Sequence, residues 1–179
     1  MVPCEVGDVL VMAEDGSYAA NIEKAEVDPP PKPTGSGQRA TEQPEEVHTP
    51  NVGTIEAVCE FLGTRPAEMI KTLVYSAGES VIAALVRGDH EINPGKLAGA
   101  TGLEGLDLAE PAVIERVTGA GVGFAGPVGL ADRVDRLVID HAVAAMPAGV
   151  TGANRTDHHV RNVVPGRDFP LDGEKAVVA

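Results

Sequence analysis

Tryptophan is absent from this chain of 179 residues, and aromatic residues make up only 3 % of it. A core without large rings must be built from Val, Ala, Leu and Ile, and the 43 % apolar content is enough for one. Cysteine is nearly absent too. Cys4 and Cys59 stand far apart with no C-x-x-C or metal-type spacing, which fits unpaired thiols in a reducing cytoplasm. No apolar run approaches the roughly 18 residues of a membrane-spanning helix. Nor does a basic stretch followed by an apolar one open the chain, so a secretory signal is not expected and the expected location is cytoplasmic. Positive charge is also scarce: 14 Lys and Arg face 27 Asp and Glu, for a net charge of −13.

That acidity limits the partners. Affinity for nucleic acid comes mainly from Lys and Arg neutralising phosphates. Divided after residues 27 and 48, each of the three pieces of the chain is net acidic. A free-standing RNA-binding protein is therefore not expected, and DNA and membranes are not expected partners. If RNA is a substrate, the chain should touch little beyond its 3′ end while other protein holds the rest.

The length suits one domain, or one domain with arms. Residues 6–12, VGDVLVM, and 18–27, YAANIEKAEV, flank the turn signal EDGS and suggest a small strand pair. Residues 28–47, DPPPKPTGSGQRATEQPEEV, have five prolines and no apolar period, and read as a mobile linker. From His48 to Ala179 the pattern is globular. Asn51 or Thr54 can cap a helix carrying Ile55, Val58, Cys59 and Leu62 at i, i+3, i+4, i+7 and closing at Gly63. Runs 71–76 and 80–87 read as a hairpin, and residues 93–101 as a short helix that Pro94 and Gly95 weaken. A helix is expected at 110–118, then a glycine-rich loop and a strand at 136–140. NVV at 162–164 is the only late strand candidate. Interleaved helices and strands without strict βαβ repetition predict an α+β fold, a mixed, partly antiparallel sheet flanked by helices.

Several familiar chemistries are missing. There is no G-x-S-x-G elbow and no H-x-x-x-H or HExxH pair, so neither a serine hydrolase nor a metal site is expected. GAGVG imitates a dinucleotide loop, but it follows a helix instead of a strand, so no cofactor is expected. Signatures of an ATP-binding synthetase are also missing.

What is present is an ordered set of short pieces: HTPNVGTIEAVCEFLG, MIKTLVY, ALVRGDHEIN, GFAGPVGL, VIDHAVAAM, TGANRTDHHVRN and GRDF. In that order they resemble the editing (insertion) domain of bacterial prolyl-tRNA synthetase, within the YbaK-like aminoacyl-tRNA deacylases. YAANIEKAE in the first 27 residues also resembles the junction with the synthetase core. The resemblance implies the corresponding fold for residues 48–179. It also implies hydrolysis of alanyl-tRNA(Pro) by a second, smaller sieve, because a pocket made for proline rejects a smaller residue by only about 1–3 kcal/mol. The partners implied are the 3′ end of aminoacylated tRNA(Pro) and the remainder of the synthetase. A stand-alone deacylase of another mischarged tRNA, such as cysteinyl-tRNA(Pro), and a non-catalytic tRNA-end or synthetase-binding module are the alternatives.

Residue by residue, the resemblance selects Lys71 as catalytic. By itself a lysine opening the strand IKTLVY is a solvated edge residue. Beside an ester carbonyl its ammonium could steady a developing oxyanion by at most about 4 kcal/mol at ~4 Å and an effective dielectric of ~20. Gly123, Gly126 and Pro127 fall in the G-x-x-x-P loop, whose backbone N–H groups could grip a ligand. Thr49, Asp140, Asn154 and His159 match or flank pocket positions. Their plain readings are a helix-leading threonine, a strand-end turn residue and loop residues. Spacing from Gly152-Ala153-Asn154 and to Arg167-Asp168 selects His159 over the adjacent His158.

Overall fold

The computed structural model describes residues 10–12, 19–21, 42–176 and 178–179. Strands β1 (Leu10–Met12) and β2 (Ala19–Asn21) pair antiparallel, as the flanked turn signal led one to expect. Strand β3 (Glu45–His48) precedes helix α1 (Ile55–Leu62). Thr54 caps α1 by accepting from the Ala57 N–H at 3.3 Å, and Gly63 closes it in the left-handed conformation. A 3₁₀ turn at Pro66–Glu68 leads into β4 (Ile70–Ala77), which folds back as β5 (Ser80–Arg87).

Helix α2 (Pro94–Thr101) follows, capped by Asn93 accepting from Lys96 N–H at 3.1 Å. Pro94 does not weaken it. At the first helical position the missing N–H has no bond to lose. Then come β6 (Asp107–Leu108), α3 (Pro111–Thr118), β7 (Arg136–Asp140), α4 (His141–Ala144), β8 (Gly149–Gly152), β9 (His158–Val163) and β10 (Glu174–Ala176).

Five strands form a mixed sheet in the order β10-β7-β5-β4-β6, with β10, β7 and β5 parallel and β4 and β6 antiparallel to their neighbours. Residues Val81–Val86 are all buried because both faces are covered, which explains their unbroken apolar run. Ala83, Leu85 and Ile139 pack on one side with Val117 and Val143; Ile82, Ala84 and Val138 pack on the other with Leu97. Strands β3, β9 and β8 form a second, antiparallel sheet. Val58, Met69 and Val150 tie it to α1 and the start of β4. The expected mixed sheet flanked by helices is the observed one. Among the described residues no helix is long and apolar enough to cross a membrane.

The differences lie in the second sheet and at the edges. Residues 45–47, read as the end of a linker, belong to β3, where Val47 pairs with His159. Strand β9 begins at His158, four residues before the expected NVV, and β6, β8 and β10 were not expected at all. GVTG and HHVRNV lack apolar alternation, so cross-strand pairing and not local pattern makes them strands. The stretch 28–41, the rest of the expected mobile linker, lies outside the described residues.

Candidate functional site

Strand β4 is covered unevenly, and the gap produces a cavity. Strand β6 pairs only with Tyr75 and Ser76. At the other end, Thr151 Oγ1 donates to Ile70 O at 2.9 Å. Between these contacts the edge of β4 forms one wall of a cavity of about 500 Å³. The opposite walls are the start of α1 (Gly53, Ile55, Val58), α3 (Pro111, Ile114), the glycine loop (Val122, Gly123, Ala125), Gly152 and His159. Among the described residues the lining is mostly apolar and holds no carboxylate.

The glycine loop is shaped by backbone packed on backbone. Gly123 has φ of +95°, and a Cβ there would lie 2.5 Å from Gly53 O. At Gly126 a Cβ would fall within 1.8 Å of Gly152 O. Asn154, itself at φ 53°, clamps the loop: its Oδ1 accepts from Gly126 N–H at 2.8 Å, and its Nδ2 donates to Gly126 O at 3.0 Å and Val128 O at 2.9 Å. The N–H groups of Gly123 and Ala125, both at the cavity, make no hydrogen bond among the described residues. Unengaged amides in a held loop are suited to a developing negative charge.

His159 is 2 % exposed on β9, with its ring tilted against Phe124 at 5.6 Å. Its Nδ1 lies 2.7 Å from the Oγ1 of fully buried Thr49. Burial first, and the neighbouring His158 second, push its pKa down to about 4, so the ring is neutral at pH 7. Lys71, also at the cavity, donates from Nζ to His90 O at 2.6 Å and Glu91 Oε1 at 3.0 Å. Its side chain is 15 % exposed and Glu91's 89 %, so the pair positions the ammonium more than it neutralises it.

Residues 49–169 match the aminoacyl-tRNA editing domain family. The chain belongs to that family. Relatives include proline–tRNA ligases of Thermoanaerobacter sp. (strain X514), 44 % identical over 96 % of this chain and 30 % of the ligase, and of Geobacter sulfurreducens, 45 % identical over 90 % and 27 %. The chain thus spans less than a third of the length of these ligases. Among solved structures, a scaffold used for computational epitope grafting has a TM-score of 0.63 at 20 % identity, covering 75 % of this chain and 86 % of the scaffold. A protein provisionally described as a trans-editing enzyme for prolyl tRNA synthetase has a TM-score of 0.57 at 20 % identity, covering 67 % and 76 %. These two establish the likeness of fold alone.

Within this editing domain, Lys71, Gly123 and His159 stand at the cavity, with Thr49 behind His159. His158 does not line it; its ring faces His48 at 4.9 Å and its Nδ1 lies 2.8 Å from Thr156 O. Gly126, Pro127 and Asn154 are not lining residues, and act on the loop's shape. Asp140 is two strands from β4 and away from the cavity. It caps α4 through Ala142 N–H at 2.8 Å and accepts from Val178 N–H at 3.1 Å and Ala179 N–H at 3.3 Å. Sequence reasoning did not single out Thr72 or Gly152 as cavity residues. Thr72 follows Lys71 in the matching MIKTLVY piece, but as a strand threonine it carried no signal of its own.

Proposed function

We propose that this editing domain hydrolyses the ester of alanyl-tRNA(Pro), acting as the proofreading module of a prolyl-tRNA synthetase. The observation that carries the reading is the apolar cavity bordered by two unengaged loop amides, the Lys71 ammonium and a neutral, buried histidine. Water adds to the ester carbonyl, and the Gly123 and Ala125 N–H groups with Lys71 stabilise the oxyanion. The carbonyl–oxygen bond to the ribose then breaks, the ribose oxygen takes a proton, and alanine leaves. An activated ester needs no protein nucleophile. Preference for alanine follows from size once the acylated 3′ end fills the cavity, since adding methylenes to a packed site costs about 1–3 kcal/mol. The acidic chain touches the acylated 3′ end, and the remainder of the synthetase holds the tRNA. The identity of the proline–tRNA ligase relatives favours this over a stand-alone deacylase of cysteinyl-tRNA(Pro).

Release of labelled alanine from alanyl-tRNA(Pro), beside cysteinyl- and prolyl-tRNA(Pro), tests the reading. Alanine release should be at least about tenfold faster than the others, the scale of one such steric difference. Preferential release of cysteine, or of nothing, would overturn it. Lys71→Ala should lower alanine release by about a hundredfold or more with the fold retained, as expected for a charge contact of a few kcal/mol. A folded variant with near wild-type release refutes the role of Lys71.

A further inference from the structure

Thr72 occupies a break in the pairing of β4. Val74 O accepts from Ala109 N–H at 2.9 Å on the β6 side, whereas Met69 O accepts from Gly88 N–H at 2.9 Å on the β5 side. Because backbone groups alternate along a strand, even-numbered residues of β4 face the β6 edge. Ile70 O on that edge is taken by Thr151, and Val74 O by Ala109. Between them the N–H and C=O of Thr72 face the cavity gap without a partner among the described residues. Its side-chain Oγ1 is buried and also lacks a hydrogen-bond partner among the described residues. Polar groups left unmet in an apolar wall are costly unless a ligand or water meets them.

Among the described residues no other cavity side chain has a buried oxygen without a partner. Thr54 Oγ1 already accepts its helix-cap bond, and His159 Nδ1 is engaged with Thr49, so that ring could accept only through Nε2, with Nδ1 carrying the proton. Lys71 has only donors, and no Asp or Glu lines the cavity among the described residues. An aminoacyl ester differs from an ordinary ester by its α-ammonium, which an apolar cavity alone would reject. Resting on the editing reading above, we propose that Thr72 is a positioning residue that receives the α-ammonium of the aminoacyl group through its backbone carbonyl and its hydroxyl oxygen. Two neutral acceptors on β4 hold the amine without adding a second carboxylate beside Lys71, which already pairs with Glu91 at 3.0 Å. The amine on the β4 wall leaves the ester carbonyl to the glycine loop opposite.

The test compares wild type, Thr72→Val and Thr72→Ser in the full chain, on alanyl-tRNA(Pro) and its N-acetylated form. Losing one hydrogen bond to a charged group should raise KM about tenfold in Thr72→Val, with kcat and the Thr72→Ser variant within about twofold of wild type. On the N-acetylated ester Thr72→Val and wild type should be equal. An unchanged KM in Thr72→Val, or the same loss on both esters, overturns the assignment. A binding measurement separates this from the editing reading, using 3′-deoxy-3′-alanylamino-adenosine, whose amide link resists hydrolysis. If wild type releases no alanine, editing fails, yet about tenfold weaker binding of this amide to Thr72→Val still supports Thr72. Equal or absent binding overturns it. Should Thr72→Val not fold, wild type alone decides: it must prefer the free amine over its N-acetyl form by about tenfold, and equal binding is the overturning result.

Discussion

His159 illustrates how burial decides a residue's chemistry. The side chain titrates near 6.5 in an unfolded chain and near 4 in the fold, because burial disfavours the charged ring. The folded state therefore binds its proton less readily than the unfolded state. The stabilising contribution is fully present above pH 6.5, is lost as pH falls from 6.5 to 4, and changes no further below that. The loss should be on the order of 2–3 kcal/mol across that window. Urea unfolding of wild type and His159→Gln at pH 7 and pH 4.5 checks this: the variant should lose less stability on acidification. Equal losses would mean the ring is protonated in the fold. Asp89 and Asp168, whose carboxyls are held below their usual range, also contribute, but unchanged in both proteins.

At the scale of the element, the glycine loop and β8 are a single packed unit. Sequence reading identified the loop through Gly123, Gly126 and Pro127 but treated all three as ligand contacts. Two of them shape the loop from outside the cavity, because contact with Gly152 belongs to a strand that polar, glycine-rich sequence does not announce. Gly126→Ala should destabilise the domain by about 2–4 kcal/mol, since its new methyl meets a backbone oxygen instead of a flexible side chain. Gly99→Ala in α2, with nothing within 4 Å of the added carbon, should be neutral or stabilising by up to about 1 kcal/mol. Chemical denaturation of the two variants measures the contrast. Equal stability would mean that the loop does not pack on Gly152 as described.

For the whole molecule, the boundary follows from β3. We propose that residues 28–41 connect the first strand pair to the editing domain and that protease cuts there without unfolding it. A fragment beginning at residue 42 should keep the stability and any deacylase activity of the full chain. One beginning at residue 49 loses all of β3, including the pairing of Val47 with His159, and exposes the edge of β9. It should unfold at lower denaturant and hydrolyse more slowly. Limited proteolysis with mass spectrometry, then unfolding of both fragments, tests the boundary. Cleavage inside 49–169 before 28–41 would contradict it.

Local chemistry in the sequence determined α1, α2, α3 and the β4–β5 hairpin, because apolar period, caps and glycine stops act within a few residues. The ordered motifs also determined the family, and through it named Lys71, Thr49, Gly123 and His159. Tertiary structure alone decided that β3, β8 and β9 form a sheet, since β3 and β9 join residues more than a hundred positions apart and the nearby β8–β9 pairing leaves little apolar alternation. It also separated neighbours in sequence: His159 faces the cavity while His158 does not, because successive strand residues point to opposite faces. Asp140 was drawn to the capping of α4 and away from the cavity by its place two strands from β4. The exposed backbone of Thr72 arises because β6 stops short of it, a matter of where one strand ends against another.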